Sequence, residues 1–123
     1  MARILIADDD AHIARVLGMW LERHGHLVTM VANGEAALKV IEREPVDLII
    51  SDMNMPVLDG VGLVRAVRTM LDSNVPIVVL TARCDQEALV QELDNFGAKV
   101  YPKPFLPSQL VVEINQLLGT PAA

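Results

Sequence analysis

The stretch Val46-Asp-Leu-Ile-Ile-Ser-Asp-Met-Asn-Met-Pro56 decides the fold. Its apolar run, Leu48-Ile49-Ile50, leads straight into Asp52 and a short loop closed by Pro56. Continuous runs of branched apolar residues suit a central parallel strand buried on both faces. Asp52 then lies just past the carboxyl end of that strand, the edge where ligand chemistry gathers in open α/β sheets.

Working outward, comparable runs occur at Ile4–Ala7, Leu27–Val31 (more mixed) and Ile77–Leu80, with a weaker one at Lys99–Tyr101. Helical periodicity fills the intervals. Ile13, Val16, Leu17, Trp20 and Leu21 follow the spacing of an amphipathic helix, and Gly25 is its expected stop. Asn33-Gly34 opens a second helix through Ala37, Leu38 and Ile41, ending before Pro45. A third is expected over 61–70 with Leu63, Val64 and Val67 inward. A fourth runs from about Asp85 through Leu89, Leu93 and Phe96 to Gly97. The fifth begins near Pro107-Ser108, uses Leu110, Val111, Ile114, Leu117 and Leu118, and ends at Gly119 and Pro121. Five βα units imply a doubly wound parallel sheet with right-handed crossovers and helices on both faces.

The chain's 123 residues fit one domain, here 1–119, with 120–123 read as a tail or the start of a linker. With 52% hydrophobic residues it is globular. A net charge of −6 argues against a nucleic-acid-binding surface, which needs clustered Lys and Arg. The single cysteine, Cys84, allows no internal disulfide and fits a reducing, cytoplasmic setting. The first apolar run is far too short for a signal peptide or a membrane span.

Four strand ends deliver polar residues to one edge: Asp8, Asp9 and Asp10 after the first, Asp52 after the third, Thr81 after the fourth and Lys103 after the fifth. Converging carboxylates repel, which raises the pKa of at least one of them. A divalent cation relieves the repulsion, and an all-oxygen set suits Mg²⁺. Lys103 adds a fixed positive charge and Thr81 a hydroxyl donor. Together these are parts for stabilising a transferring phosphoryl group, with an aspartate as nucleophile.

The motifs Ile4-Leu-Ile-Ala-Asp-Asp-Asp10, Asp47-Leu-Ile-Ile-Ser-Asp-Met-Asn-Met-Pro-Val-Leu-Asp-Gly60, Val75-Pro-Ile-Val-Val-Leu-Thr-Ala82 and Lys103-Pro-Phe105 form a highly specific set. On them the chain resembles, over essentially its whole length, a receiver domain of a two-component response regulator, of the chemotaxis type. The resemblance implies a flavodoxin-like sheet in the order 2-1-3-4-5. It implies Asp52 as phosphoacceptor, and Mg²⁺ (or Mn²⁺) held by Asp8, Asp9, Asp52 and the backbone carbonyl of Asn54. Thr81 resembles the switch hydroxyl, Lys103 the family's lysine with a cis bond to Pro104, and Arg83 and Asn54 tune hydrolysis.

The implied partners are a sensor histidine kinase or phosphotransfer protein and a downstream target or fused output domain. A phosphorylation-linked homodimer also belongs to that picture, while nucleic acid and membrane do not. The readout face is expected on helix four, strand five and helix five, to which Val90 and Val112 add apolar surface. The family's aromatic three residues before the lysine is replaced by Val100, with Tyr101 one place later. Those two should point to opposite faces unless a bulge intervenes.

Simpler roles compete at several positions. Asp10 reads as a helix cap, Asp59-Gly60 as turn chemistry, Trp20 as packing, and His12, His24 and His26 as surface residues. Cys84 reads as inert, and Gly60-Val-Gly62 lacks the third glycine of a dinucleotide fingerprint. Two other functional classes are weighed. A phosphohydrolase of the haloacid dehalogenase type would need an aspartate where Asn54 stands. A binding module signalling by constitutive contacts is favoured by Val100.

Overall fold

The computed structural model describes residues 2–82 and 87–119. Its strands are β1 (Arg3–Ala7), β2 (Leu27–Val31), β3 (Leu48–Asp52), β4 (Ile77–Thr81) and β5 (Lys99–Pro102). Between and after them run α1 (Ala11–Arg23), α2 (Gly34–Arg43), α3 (Gly60–Arg65), α4 (Glu87–Asn95) and α5 (Pro107–Leu117). All pairings are parallel and the strand order is β2-β1-β3-β4-β5, the flavodoxin-like order that the motifs implied. The reversal of order between β1 and β3 opens a crevice at the carboxyl edge.

Alternating side chains split the core in two. Leu5, Ala7, Ile49, Ile77 and Val79 face a layer with α2, α3 and α4 residues. Ile4, Ile6, Leu48, Ile50, Val78 and Leu80 face a layer with α1 and α5 residues. Strands β3 and β4 are buried at every position, which is why they read as unbroken apolar runs. The edge strand β2 is half exposed and correspondingly mixed.

Helix starts follow local chemistry. Asp10 caps α1, its carboxylate accepting the amides of His12 (3.0 Å) and Ile13 (3.3 Å). Asn33 caps α2 through Ala36 (2.8 Å), and Asp59 caps α3 through Gly62 (2.8 Å). Each satisfies an amide that has no partner within its helix.

The third helix departs from expectation. It begins at Gly60, and from Ala66 to Met70 it widens into a π-helical turn, closed by the Leu71 amide on the Ala66 carbonyl at 3.1 Å. Thr69 Oγ1 donates to the Arg65 carbonyl (2.6 Å), the group a regular α-turn would offer to the Thr69 amide. The expected start of α4 at Asp85 lies outside the described residues.

His26 was expected at the surface and is buried. Its Nδ1 accepts the Ala2 amide at 3.2 Å, and its Nε2 lies 2.8 Å from Asn115 Oδ1 on α5. With Nδ1 accepting, Nε2 carries the hydrogen and donates to Asn115. A polar side chain is tolerated here because both ring nitrogens find partners. Trp20 packs half-buried against the α1–α5 layer, as its stripe position implied.

Candidate functional site

Sheet geometry assembles the site. Asp52 ends β3, Thr81 ends β4, Asp8 follows β1 by one residue and Lys103 follows β5 by one. Asp52 is thus the last strand residue rather than the first beyond it. Parallel register sets these ends level, with Asp52 opposite Leu80 and Thr81 opposite Pro102.

Asp8, Asp9 and Asp52 each present a carboxylate oxygen, and the three oxygens lie within 4.8 Å of one another. Asp8 and Asp52 are buried and Asp9 is exposed, so the cluster has one wet side. Asp52 Oδ1 accepts from Lys103 Nζ at 2.7 Å and from its neighbour's amide, Met53 N–H, at 3.0 Å. Asp8 Oδ1 accepts the Asp10 amide at 2.9 Å.

Burial is the chief cause that lifts the Asp8 carboxyl above the ordinary aspartate range. The negative charges of Asp52 and Asp9 push in the same direction, while the Asp10 amide and Lys103 oppose them. The expected repulsion is therefore present, but it ranks behind desolvation.

Lys103 is placed by backbone. Its amide donates to the Thr81 carbonyl at 2.9 Å, extending the β4–β5 ladder past Pro102, and its bond to Pro104 is cis as expected. Thr81 is buried at the strand end. Asn54 is exposed on the loop two residues past Asp52. The expected tuning residue Arg83, and Cys84, lie outside the described residues.

Val100 and Tyr101 face opposite ways. Val100 joins the α2–α4 layer and Tyr101 the α1–α5 layer, and the register from Val78–Lys99 to Thr81–Pro102 runs without a bulge. Tyr101 is therefore not returned to the face that Val100 occupies.

Two glycines shape the loop behind Asp52 and were read from sequence only as turn or helix-start residues. A Cβ on Gly60 would stand 2.6 Å from the Asp52 carbonyl oxygen, and one on Gly34 would stand 2.5 Å from the Leu58 carbonyl oxygen. Both are backbone contacts that no side chain could accommodate without moving the loop. Between them Val57 adopts φ 72°. Positive φ on a β-branched residue is strained, and it holds the loop in a sharp reversal.

A groove of about 480 Å³ opens beside the acidic cluster, lined by Ile13 and Val16 of α1 and by Lys103, Pro104, Phe105 and Pro107. Lys103 belongs to both the groove and the cluster.

The family model for the response regulator receiver domain matches residues 4–115. The chain belongs to that family. It is 39% identical over 116 residues to the probable transcriptional regulator ycf27 of Porphyridium aerugineum, covering 94% of this chain and 48% of that protein. The chain spans about half the length of the curated relatives it matches. The Vibrio cholerae chemotaxis response regulator CheY4 superposes with TM-score 0.87 at 34% identity, over 95% of this chain and 98% of that one. The receiver domain of the Pseudomonas aeruginosa sensor histidine kinase PA1611, described with magnesium in its active-site cleft, gives TM-score 0.82 at 30% identity, over 97% and 98%. This chain is thus a two-component receiver domain. Among the described residues, no helix is long and apolar enough to cross a membrane.

Proposed function

We propose that Asp52 accepts a phosphoryl group from the phosphohistidine of a sensor kinase or phosphotransfer protein, or from a small acyl phosphate. The observation that carries this reading is the meeting of a buried carboxylate, two further carboxylates and a lysine at one sheet edge. An Asp52 carboxylate oxygen attacks phosphorus, the bond from phosphorus to the donor's nitrogen or oxygen breaks, and the donor leaves with that electron pair. The product is an aspartyl phosphate on Asp52.

The cluster fits Mg²⁺, or Mn²⁺ in its place. Its donors are hard oxygens with one exposed side, which leaves room for the waters Mg²⁺ retains. Asp8, Asp9 and Asp52 would hold the ion with the Asn54 backbone carbonyl, and when bound it would neutralise charge on the phosphoryl oxygens. Lys103 meanwhile supplies a fixed ammonium 2.7 Å from Asp52 Oδ1, and Thr81 a hydroxyl to an oxygen of the arriving group. Such a domain catalyses only its own phosphorylation and dephosphorylation. It has no turnover substrate, and Asn54 in place of a second aspartate speaks against a phosphohydrolase.

The apolar groove between α1 and the loop into α5 supports a protein donor, because a helix-bearing phosphohistidine domain seated there would bring its ring beside Lys103. Downstream, charge added at Asp52 would shift the face of α4, β5 and α5, where Val112 is exposed and Val90 partly so. Its reader is a separate target or an attached output domain, in a cytoplasmic signalling chain or phosphorelay.

The test is intact-mass measurement after incubation with a small acyl phosphate, with and without Mg²⁺. One phosphoryl group should add in the presence of Mg²⁺, none after chelation and none to Asp52→Asn. Incorporation into Asp52→Asn at the wild-type rate would reject the assignment.

A further inference from the structure

The groove of about 480 Å³ beside the acidic cluster has the volume of a small-ligand site. Among its described lining residues only His12 and Lys103 are polar; the others are aliphatic, proline or phenylalanine. The polar pair stands at one end. Lys103 Nζ lies 2.7 Å from Asp52 Oδ1, and His12 belongs to the first turn of α1, which starts at the carboxyl edge of the sheet. From there α1 runs back along the sheet, so Val16 and Leu17 line the groove about one turn farther from the cluster. Phe105 and Pro107, on the way into α5, form the facing wall.

This is the shape of an amphiphile's site: a cation beside the reacting carboxylate, and an apolar trough leading away from it. Charge narrows the choice of occupant further. The chain carries a net −6 and three carboxylates meet at the cluster, so the field of the whole protein does not draw in a small anionic donor. The Lys103 ammonium is already held by Asp52. Apolar contact in the trough is therefore the main source of affinity that the chain offers such a donor, and the single methyl group of acetyl phosphate makes little of it.

We propose that the small donors suited to this site are acyl phosphates with an apolar chain of about hexanoyl length, the phosphoryl group over Asp52 and the chain in the groove along Val16, Leu17 and Phe105. His12 and Leu17 stand about 7.5 Å apart along the axis of α1, the span of such a chain. The groove that seats a protein donor is free for this chain when no such protein is bound. The inference rests on Asp52 as phosphoacceptor. An Asp52 carboxylate oxygen bonds to phosphorus, the bond from phosphorus to the acyl oxygen breaks, and the fatty acid leaves as its carboxylate with that electron pair, so no proton has to move.

Phosphorylation of the whole chain by acetyl, butanoyl and hexanoyl phosphate with Mg²⁺, followed as mass gain, tests it. A fully buried methylene is worth close to fourfold in affinity, and a half-buried one about twofold. Hexanoyl phosphate carries four more methylenes than acetyl phosphate, so its second-order rate constant should be roughly fifteenfold higher. The gain should lie in a lower half-saturating concentration with the saturated rate unchanged, because the chain makes the same contacts before and during transfer. Val16→Glu, which sets a carboxylate in the trough, should bring the donors level. Phe105→Ala, which removes the facing ring, should lower the ratio as well and decides the matter should Val16→Glu fail to fold. Binding without transfer is read in the same buffer with hexanoylphosphonate, whose carbon–phosphorus bond stays intact. It should shift the amide resonances of residues 13–17 and 105 at lower concentration than acetylphosphonate does. Equal rate constants for the three donors, a preference that survives Phe105→Ala undiminished, or phosphonates that bind alike would overturn the proposal and leave Asp52 as the acceptor. A chain that no donor labels would instead refute the acceptor, and this inference with it.

Discussion

Lys103 Nζ stands 2.7 Å from Asp52 Oδ1, joining the end of β5 to the end of β3 across the intervening β4. The contact depends on the ladder bond from the Lys103 amide to Thr81, which fixes where the side chain starts. A charge-assisted hydrogen bond of this kind is worth about 1.5–3 kcal/mol, or roughly tenfold to a hundredfold in rate if it acts mainly in the transition state. Lys103→Met should slow phosphoryl uptake from an acyl phosphate by about that factor, read from the rate of mass gain. An unchanged rate would remove Lys103 from the chemistry.

Asp8 supplies a pH-dependent test. Its carboxyl sits above the ordinary range chiefly through burial, so the ionised form costs the native state stability. The sign follows directly. A carboxyl raised on folding favours the fold fully below its unfolded pKa of about 3.9, and that contribution disappears as pH rises through its folded value. Asp8→Asn should therefore raise the urea midpoint at neutral pH, and the gain should shrink as pH falls toward 4 or so. Mg²⁺ should stabilise the wild type and do so less for Asp8→Asn. A variant less stable than the wild type at neutral pH without Mg²⁺ would contradict the electrostatic reading.

Val57 holds φ 72° while 73% exposed, so its side chain contributes little packing to offset the strain. Left-handed backbone costs a non-glycine residue about 1–2 kcal/mol, from which a glycine's entropic cost of roughly 0.5–1 kcal/mol must be subtracted. Val57→Gly should therefore stabilise the domain by up to about 1.5 kcal/mol, measured by urea unfolding. A loss of stability would show that the exposed side chain matters more than the backbone.

Arg68 is half-hidden at the π-helical turn and spends its guanidinium on three backbone carbonyls: Phe96 (2.6 Å), Ser73 (2.9 Å) and Val75 (2.7 Å). It ties the carboxyl end of α4 and the approach to β4 to the third helix, beside an Arg65–Glu92 ion pair. Desolvation lowers its pKa, yet the charged form is retained because each bond is charge-assisted. Arg68→Met should cost about 2–4 kcal/mol and speed amide exchange around residues 93–98. Exchange unchanged there would show that apolar packing alone holds the end of α4.

The legible parts of the chain share a physical origin. Strands β3 and β4 are buried on both faces, so their positions appear as continuous apolar runs. A parallel sheet then obliges Asp8, Asp52, Thr81 and Lys103 to share an edge. What could not be read are contacts between side chains far apart in sequence. The His26–Asn115 bond spans 89 positions, and neither residue has a periodicity that announces it. The π-helical turn depends on one threonine hydroxyl competing for a carbonyl, and Gly60 reads as a turn residue until the Asp52 carbonyl is seen against it. The opposed faces of Val100 and Tyr101 were legible, because strand alternation alone determines them.

The phosphoacceptor itself can be located chemically. Borohydride reduces an acyl phosphate to an alcohol, so treating the phosphorylated protein and sequencing its peptides by mass spectrometry marks the modified side chain. We expect the mark at Asp52 alone. A mark at Asp8 or Asp9, with Asp52 untouched, would contradict the assignment.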